Sequence, residues 1–400
     1  MSDWYEAKIK DFADVKGGKR LPKGKQLVKE PNNHPYIRIR DLGKSKYLQL
    51  TSEYEYVDDE TQQSISRYIV NKGDILISVV GTIGLIGIVG ATLDGANQTE
   101  NCDKIINITG VMPEYLYYYL KSNLGQDEIR KGTVGAVQPK LPLKNVQDIS
   151  VFYPPMEEQE RIVAILSAID EKIETNEAVN NNLEQQAEAL FHSLFIENAN
   201  PTWKDGVLSD LGTVVAGGTP SKTKPEYYSE QGIAWITPKD LSLNKSKFIS
   251  RGEIDISELG FSKSSATKIP TGTVLFSSRA PIGYIAIAAN EVTTNQGFKS
   301  VVPNENVGTA FMYYLLKFLL PTIEGMASGS TFKEISGAGM KSVPVVIPDN
   351  ETIEKFNAFC TPIFQQQEVL EAENSRLADI RDALLPKLMS GELDVSDIDL

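Results

Sequence analysis

The chain is 400 residues long and 41% hydrophobic, with a formal net charge of −13. This is enough apolar material for two or three ordinary cores, which excludes a disordered chain. Its two cysteines, Cys102 and Cys360, and its two histidines, His34 and His192, are isolated from one another, which sets aside disulfide frameworks, zinc sites and Ser-His-Asp or Cys-His chemistry. No stretch approaches the roughly 18 continuous apolar residues of a membrane span, and "MSDWYEAKIKDF" lacks a signal-peptide core. The expectation is a cytoplasmic protein with no membrane contact.

The charge is unevenly spread. Residues 1–150 carry 20 Lys+Arg against 19 Asp+Glu and residues 201–348 carry 14 against 12, whereas 151–200 and 349–400 are each −8. The acidity therefore sits in two segments, and the two near-neutral stretches repeat one another. "VNKGDILISVVGTIGLIGIVG" from Val70 aligns with "IPTGTVLFSSRAPIGYIAIAA" from Ile269, placing Gly73 on Gly272, Ser78 on Ser277 and Gly84 on Gly283. Trp4 and Asp11 match Trp203 and Asp210, Asn97-Gln98 matches Asn295-Gln296, and "YLYYYLK" matches "FMYYLLK". Such a long internal repeat implies two copies of one domain.

The first copy, residues 1–153, opens with a strand and the loop "VKGGKRLPKGKQLVK", which carries Lys16, Lys19, Arg20, Lys23, Lys25 and Lys29. Gly and Pro permit close backbone approach to a partner, and Lys and Arg neutralise phosphates; the competing reading is a loop of solvated lysines. In "YIRIRDL", Arg38 and Arg40 alternate along a predicted strand and so point to one face. Gly-punctuated Ile/Val strands follow, then a short buried helix over "PEYLYYYLKSNL", then "AVQPK" with Gln138 and Lys140. Arginine pairs with guanine and Gln or Asn with adenine in the major groove, which makes Gln138, and Arg279 in the second copy, base-reading candidates.

Pro154 and Pro155, followed by Glu157, Glu158 and Glu160, start a long helix over 154–197, because proline fits a first turn and carboxylates suit the helix dipole. Ile162, Ile169, Asn176, Leu183 and Leu190 form one file of a heptad seam, and Leu166, Ile173, Asn180, Ala187 and Leu194 form the other. "NANPTW" breaks the helix at Pro201 and leads into the second copy, residues 198–348. There "VAGGTPSKTKP" carries Lys222 and Lys224, "AWITPKDL" carries Lys239, "SSRAP" carries Arg279, and "STFKE" carries Lys333. "TAFMYYLLKFLL" is a second short buried helix.

Residues 349–400 form a second long helix that echoes the first at an offset of 194: Phe356, Ile363, Leu370, Leu377 and Leu384, beside Cys360, Gln367, Asn374, Arg381 and Leu388. Pro386 and Gly391 are its predicted stop. Two such helices pair, and an antiparallel pairing in register sets Asn176 opposite Asn374, whereas a parallel one sets Asn180 there. Polar seam residues fix register at a cost in stability, unless these asparagines simply face solvent. The expected fold is therefore α+β, with two mixed α/β domains separated by an antiparallel coiled coil about 50 Å long and related by a pseudo-two-fold repeat.

Catalytic motifs are missing. "GGTPSKTK" at Gly217 fails G-x-x-x-x-G-K-[ST], "GTIGLIGIVG" is not G-x-G-x-x-G, and "FYPP" at Phe152 reverses the Asn/Asp-Pro-Pro-Tyr/Phe order by which adenine methyltransferases grip their base. No carboxylates are spaced for magnesium, so no metal site or bound cofactor is expected. An enzyme acting alone is not indicated.

With these features assembled, the chain resembles the specificity subunits of type I restriction-modification systems. The likeness rests on "PPMEEQERIVAIL", "ADIRDALLPKLMSGELDV", the "GTIG" and "APIG" segments and the Asn-Gln pairs, while "IPDNETIEKFNAF" departs from the "PP-x-x-EQ" form. The resemblance implies two target recognition domains, each reading half of a split double-stranded DNA sequence, and helices that dock two methyltransferase subunits. A restriction subunit would join for cleavage. S-adenosylmethionine and ATP would belong to those partners, leaving this chain without a cofactor and non-catalytic. Two other classes stay open: a fragment of a fused restriction-methylation enzyme with intrinsic methyl transfer, and a scaffold that does not bind DNA.

Overall fold

The computed structural model describes residues 4–329 and 333–395. The chain divides into two compact units, one built from the described residues up to Ile173 together with those from Arg376 onward, the other from Glu174–Ser375. Both long helices cross this division, so each unit owns part of each.

In the first unit the strands Asp14–Gly17 (β1), Tyr47–Leu48 (β2), Ile75–Ser78 (β3), Ile86–Val89 (β4) and Cys102–Ile106 (β5) form a sheet in the order β1-β5-β3-β4-β2. All neighbours are antiparallel except β2, which runs parallel to β4 at the edge. β3 and β4 are buried on both faces, which is why they read as unbroken apolar runs rather than alternating ones. On one face Ile75, Ile77, Ile86, Ile88 and Ile105 pack with Tyr115, Leu116 and Leu120 of helix α1 (Pro113–Lys121), whose first residue is a proline. On the other, Leu76, Val89 and Cys102 pack with Ile37, Leu48 and Leu93.

The second unit repeats this arrangement. Gly212–Ala216 (β6), Phe248–Ile249 (β7), Val274–Ser278 (β8), Ile282–Ala288 (β9) and Lys299–Pro303 (β10) are ordered β6-β10-β8-β9-β7, again with only the edge strand parallel to its neighbour. Helix α3 (Thr309–Met326) covers the sheet with Phe311, Tyr314 and Leu315. It is longer than the segment "TAFMYYLLKFLL" predicts and runs through Pro321.

Each domain is closed by its own ends. Tyr5–Lys8 pairs antiparallel with Ser150–Tyr153, Tyr5 opposite Tyr153, and Lys204–Val207 pairs with Pro344–Ile347, Lys204 opposite Ile347. The chain thus enters and leaves each domain at adjacent points, where the long helices begin.

Those helices are α2 (Met156–His192, widening into a π-turn over Ser193–Glu197) and α4 (Asn350–Met389). Helical bonding in α2 ends at Glu197, ahead of Pro201. The pairing is antiparallel in both units. In the second unit Asn176 Nδ2 donates to Asn374 Oδ1 at 2.8 Å, and Gln367 Nε2 donates to the Asn180 carbonyl at 3.2 Å. In the first unit Arg381 Nη1 meets Asp170 Oδ1 at 3.1 Å. Asn176 is 2% exposed, so it is a buried seam residue and does not face solvent. Ile162 and Leu166 join Leu384 and Leu388 in the first unit's core, while Phe191, Phe356, Cys360 and Ile363 join that of the second. Leu183, Leu190 and Leu194 are partly buried against the second core, and Leu370 is buried. Ile169, Ile173 and Leu377 are half-buried.

Pro386 does not stop α4. The helix continues to Met389, with Ser390 N bonding back to the Pro386 carbonyl at 3.1 Å, and ends at Gly391 with φ +73°. A helix-interior proline costs about 3 kcal/mol through its lost N–H and ring clash, and burial of Leu388 and Met389 offsets this at about 1.5–3 kcal/mol each.

A buried lysine docks each domain onto its helices. Lys46 Nζ donates to Ser167 Oγ of α2 at 2.8 Å, and Tyr118 of α1 donates to Asp170 at 2.7 Å. In the second unit Lys247 Nζ donates to Gln367 Oε1 of α4 at 2.7 Å and pairs with Glu184 of α2, which also accepts from Tyr314 and from Lys317 at 2.8 Å each. Burial pulls the Glu184 carboxyl upward, but the Lys247 and Lys317 ammoniums overcome this and hold it at about 2.

Candidate nucleic-acid interface

Strand register gathers the charged loops at one end of each sheet. In the first unit Gly17 lies opposite Asp103 and Ser78 opposite Cys102. The loop after β1, the turn after β3 and the turn before β5 therefore emerge side by side. Gly18 makes this possible: a Cβ there would sit 2.0 Å from the Thr99 carbonyl oxygen. Gly217 is equally tight in the second unit, 2.0 Å from the Asn295 carbonyl oxygen.

The first unit's cations are mostly engaged within the unit. Arg20 Nε pairs with Glu100 at 2.8 Å, and Lys25 Nζ with Asp58 and Glu60 at 3.0 and 2.6 Å. Lys19 Nζ lies 5.7 Å from the Tyr68 ring centroid, while Lys16, Lys23 and Lys29 are exposed. The Thr61 hydroxyl and N–H, with Lys25, hold the Asp58 carboxyl at about 2. Exposed pairs such as Arg20–Glu100 contribute little in water, so a phosphate can compete for the arginine. Lys25, braced by two carboxylates, is part of the loop's architecture.

Arg38 and Arg40 are not on a strand. The strand stops at Ile37, and Ile39–Asp41 is a 3-10 turn whose Asp41 accepts from the Arg38 N–H at 2.7 Å. This local cap outcompetes the extended conformation. The two side chains still converge, both reaching Glu55 Oε2, Arg40 at 3.4 Å. Burial pushes Asp41 up to about 6 despite Arg40 and Lys44 nearby.

Gln138 is at the tip of a tight loop. Val134 and Lys140 exchange backbone hydrogen bonds of 2.8 and 2.9 Å, which projects Val137 (94% exposed) and Gln138 outward. Lys140 lies beside Asp103, whose carboxyl burial pushes up to about 6 while the lysine pulls the other way.

In the second unit Lys222 and Lys239 border one cleft of about 510 Å³, lined by Thr219, Trp235, Asn295 and Gln296. Lys224 Nζ lies 5.1 Å from the Tyr227 ring centroid, and Lys239 pairs with Glu253. Arg279 and Lys299 share Glu334, at 3.4 and 3.6 Å, with exposed Lys333 adjoining in the chain.

Reasoning on cations alone missed their counterions, Glu55, Asp58, Glu60, Glu100, Glu253 and Glu334, and also Lys299 and the cleft. The acidic run "EYEYVDDE" after the basic loop is the one sequence signal for the first three. The Asn-Gln pairs differ between units: Asn97 and Gln98 are fully buried, whereas Asn295 and Gln296 open onto the cleft.

Two copies of one domain, each presenting cationic loops at the same end of the same sheet and docked on antiparallel helices, define a class of paired recognition modules. The chain belongs to the family described as "Type I restriction modification DNA specificity domain", whose sequence profile matches residues 1–185 and 200–375. It is 27% identical to the type I restriction enzyme MjaIX specificity subunit of Methanocaldococcus jannaschii, covering 99% of this chain and 95% of that one. It is 25% identical to the HindI specificity subunit of Haemophilus influenzae, covering 98% and 100%. Its fold is similar to that of the crystallised S subunit of a type I system from M. genitalium, with a TM-score of 0.61 at 19% identity over 97% of this chain and 96% of that one. No helix among the described residues is long and apolar enough to cross a membrane.

Proposed function

We propose that the chain is the DNA-reading subunit of a cytoplasmic type I restriction-modification complex, in which residues 1–153 and 198–348 are target recognition domains that each read one half of a split double-stranded sequence. The helices over 154–197 and 349–400 act as spacer and as the docking surface for two methyltransferase subunits, and a restriction subunit joins the full complex. Methyl transfer from S-adenosylmethionine and ATP-driven cleavage belong to those partners, and this chain is not catalytic. The observation that carries the reading is the recurrence, in both units, of one strand order with cationic loops at the same end.

Lys19, Arg20, Lys23, Lys222, Lys224, Lys299 and Lys333 supply phosphate contacts, which position a duplex without reading it. Arg38, Arg40, Gln138 and Arg279 supply base contacts. An electrophoretic shift assay with and without the methyltransferase subunits tests this reading. The expected result is retention of a target-bearing duplex by the assembly. S-adenosylmethionine binding by the isolated chain would favour intrinsic methyl transfer instead, and no retention even with the partner would favour a scaffold.

A further inference from the structure

We propose that Glu55 is a positioning residue for base reading in the first unit, holding Arg38 and Arg40 as a preset fork for a guanine of the first half-site. The inference rests on the DNA-reading role proposed above and adds to it a residue and a base.

Glu55 lies across the strand pair from Tyr36, two residues before Arg38. Its carboxylate thus sits beneath the turn that carries both arginines. Arg38 Nη2 pairs with Glu55 Oε2, and Arg40 Nη2 lies 3.4 Å from the same oxygen and donates to the Glu53 carbonyl at 3.0 Å. The backbone beneath is pinned by the Asp41 cap. A guanidinium has five N–H donors in a plane, and on each arginine the held atom is Nη2, with Arg40 Nε also 3.7 Å from Asp41 Oδ1. The fork is therefore made by the two Nη1 groups, one from each arginine, which suit the two acceptors, O6 and N7, that guanine presents in the major groove. Glu55 is 21% exposed, Arg38 29% and Arg40 53%, so the carboxylate is the inner partner and Arg40 the outer arginine.

The same turn recurs in the second unit with different chemistry. Asp240 accepts from the Thr237 N–H at 2.7 Å and from the Glu253 N–H at 2.9 Å, and Lys239 pairs with Glu253. Thr237 stands where Arg38 does, and a lysine where Arg40 does. An ammonium is a point charge with no planar fork. The preset guanine reader therefore belongs to the first unit alone.

If Glu55 were only a neutralising charge, Glu55→Gln would tighten binding to every duplex alike, because it removes a negative group near the phosphates. Positioning predicts a different result. In the complete assembly with its methyltransferase subunits, the target is first defined by mapping which bases become methylated. Duplexes then carry adenine or 7-deazaguanine at each guanine of that target. The wild-type assembly should discriminate at a guanine of the first half-site by about tenfold or more. Glu55→Gln should abolish that discrimination, and Glu55→Asp, which keeps the charge but withdraws it by one methylene, should weaken it. Discrimination in the second half-site should stay unchanged in both.

A uniform gain in affinity with discrimination intact, or a first half-site without guanine, overturns the proposal. Arg38→Ala and Arg40→Ala separate it from the reading beneath it. If neither alters the first half-site, this turn does not read DNA and the positioning role falls, while a target-bearing duplex still retained by the assembly leaves the DNA-reading role standing; loss of that retention is what would overturn the latter. If they do while the Glu55 variants do not, only the positioning role falls.

Discussion

Lys25 is tied to Asp58 and Glu60, whereas Lys23 is exposed and Lys19 extends toward the face of the Tyr68 ring. Only a cation that neutralises a phosphate, and so releases the counterions condensed on the duplex, contributes to the salt dependence of DNA binding. Lys19→Ala with Lys23→Ala should therefore flatten that dependence, the slope falling by about 0.9 for each phosphate no longer neutralised. Lys25→Ala should leave the slope nearly unchanged and loosen the loop; titrations at several salt concentrations read the contrast. A second expectation concerns Asp103, raised from its ordinary 3.8 to about 6 by burial. The folded state holds this proton more tightly than the unfolded one, so the group lowers stability as pH rises from about 4 to about 6. Asp103→Asn should raise stability at pH 7 by roughly 1–3 kcal/mol and lose that advantage below about pH 4, as thermal unfolding at both pH values would show. The cationic residues themselves were legible in the sequence. Their pairing was not, because Glu55 and Glu100 reach Arg38 and Arg20 only once β-pairing brings distant segments together.

At the scale of elements, the heptad seam was legible because two largely apolar files recur at helical spacing, but the asparagines fitted either sense of pairing, and it is the Asn176–Asn374 hydrogen bond that makes it antiparallel. The docking lysines were missed although the chain repeats itself there, as "KSKY" at Lys44 and "KSKF" at Lys245. A lysine beside a strand reads as solvated until tertiary structure buries it. Lys247→Met should remove one of the two ammoniums on Glu184, leaving Lys317, strip Gln367 Oε1 of its donor, and destabilise the second unit by about 1–3 kcal/mol. Adding Glu184→Gln should restore much of the stability, and urea unfolding of single and double variants checks both. The sign of the pH effect is set by Glu184: its folded carboxyl is held at about 2, below its ordinary 4.5. The stability it contributes is full above pH 4.5 and fades as pH falls toward 2.

For the whole molecule, the repeat was legible from aligned glycines and aromatic runs. The strand order was not, because β2 and β7 are two-residue edge strands that pair with segments far along the chain. The repeat leads to a prediction: replacing residues 1–153 by the same unit of a relative should change one half of the DNA target and leave the other, as methylation mapping would show. Change in both halves, or in neither, would count against independent reading. The short strands that close each domain, Tyr5 against Tyr153 and Lys204 against Ile347, carry this into heredity. Because entry and exit are neighbours, two crossovers in the corresponding stretches of a gene transplant a complete reading head with its sheet intact. A crossover between β3 and β4 would join halves of two sheets that never packed together. Recombinants that survive in a population should therefore have their junctions concentrated at these clasps, and new DNA specificities should arise by exchange of whole domains more readily than by stepwise substitution.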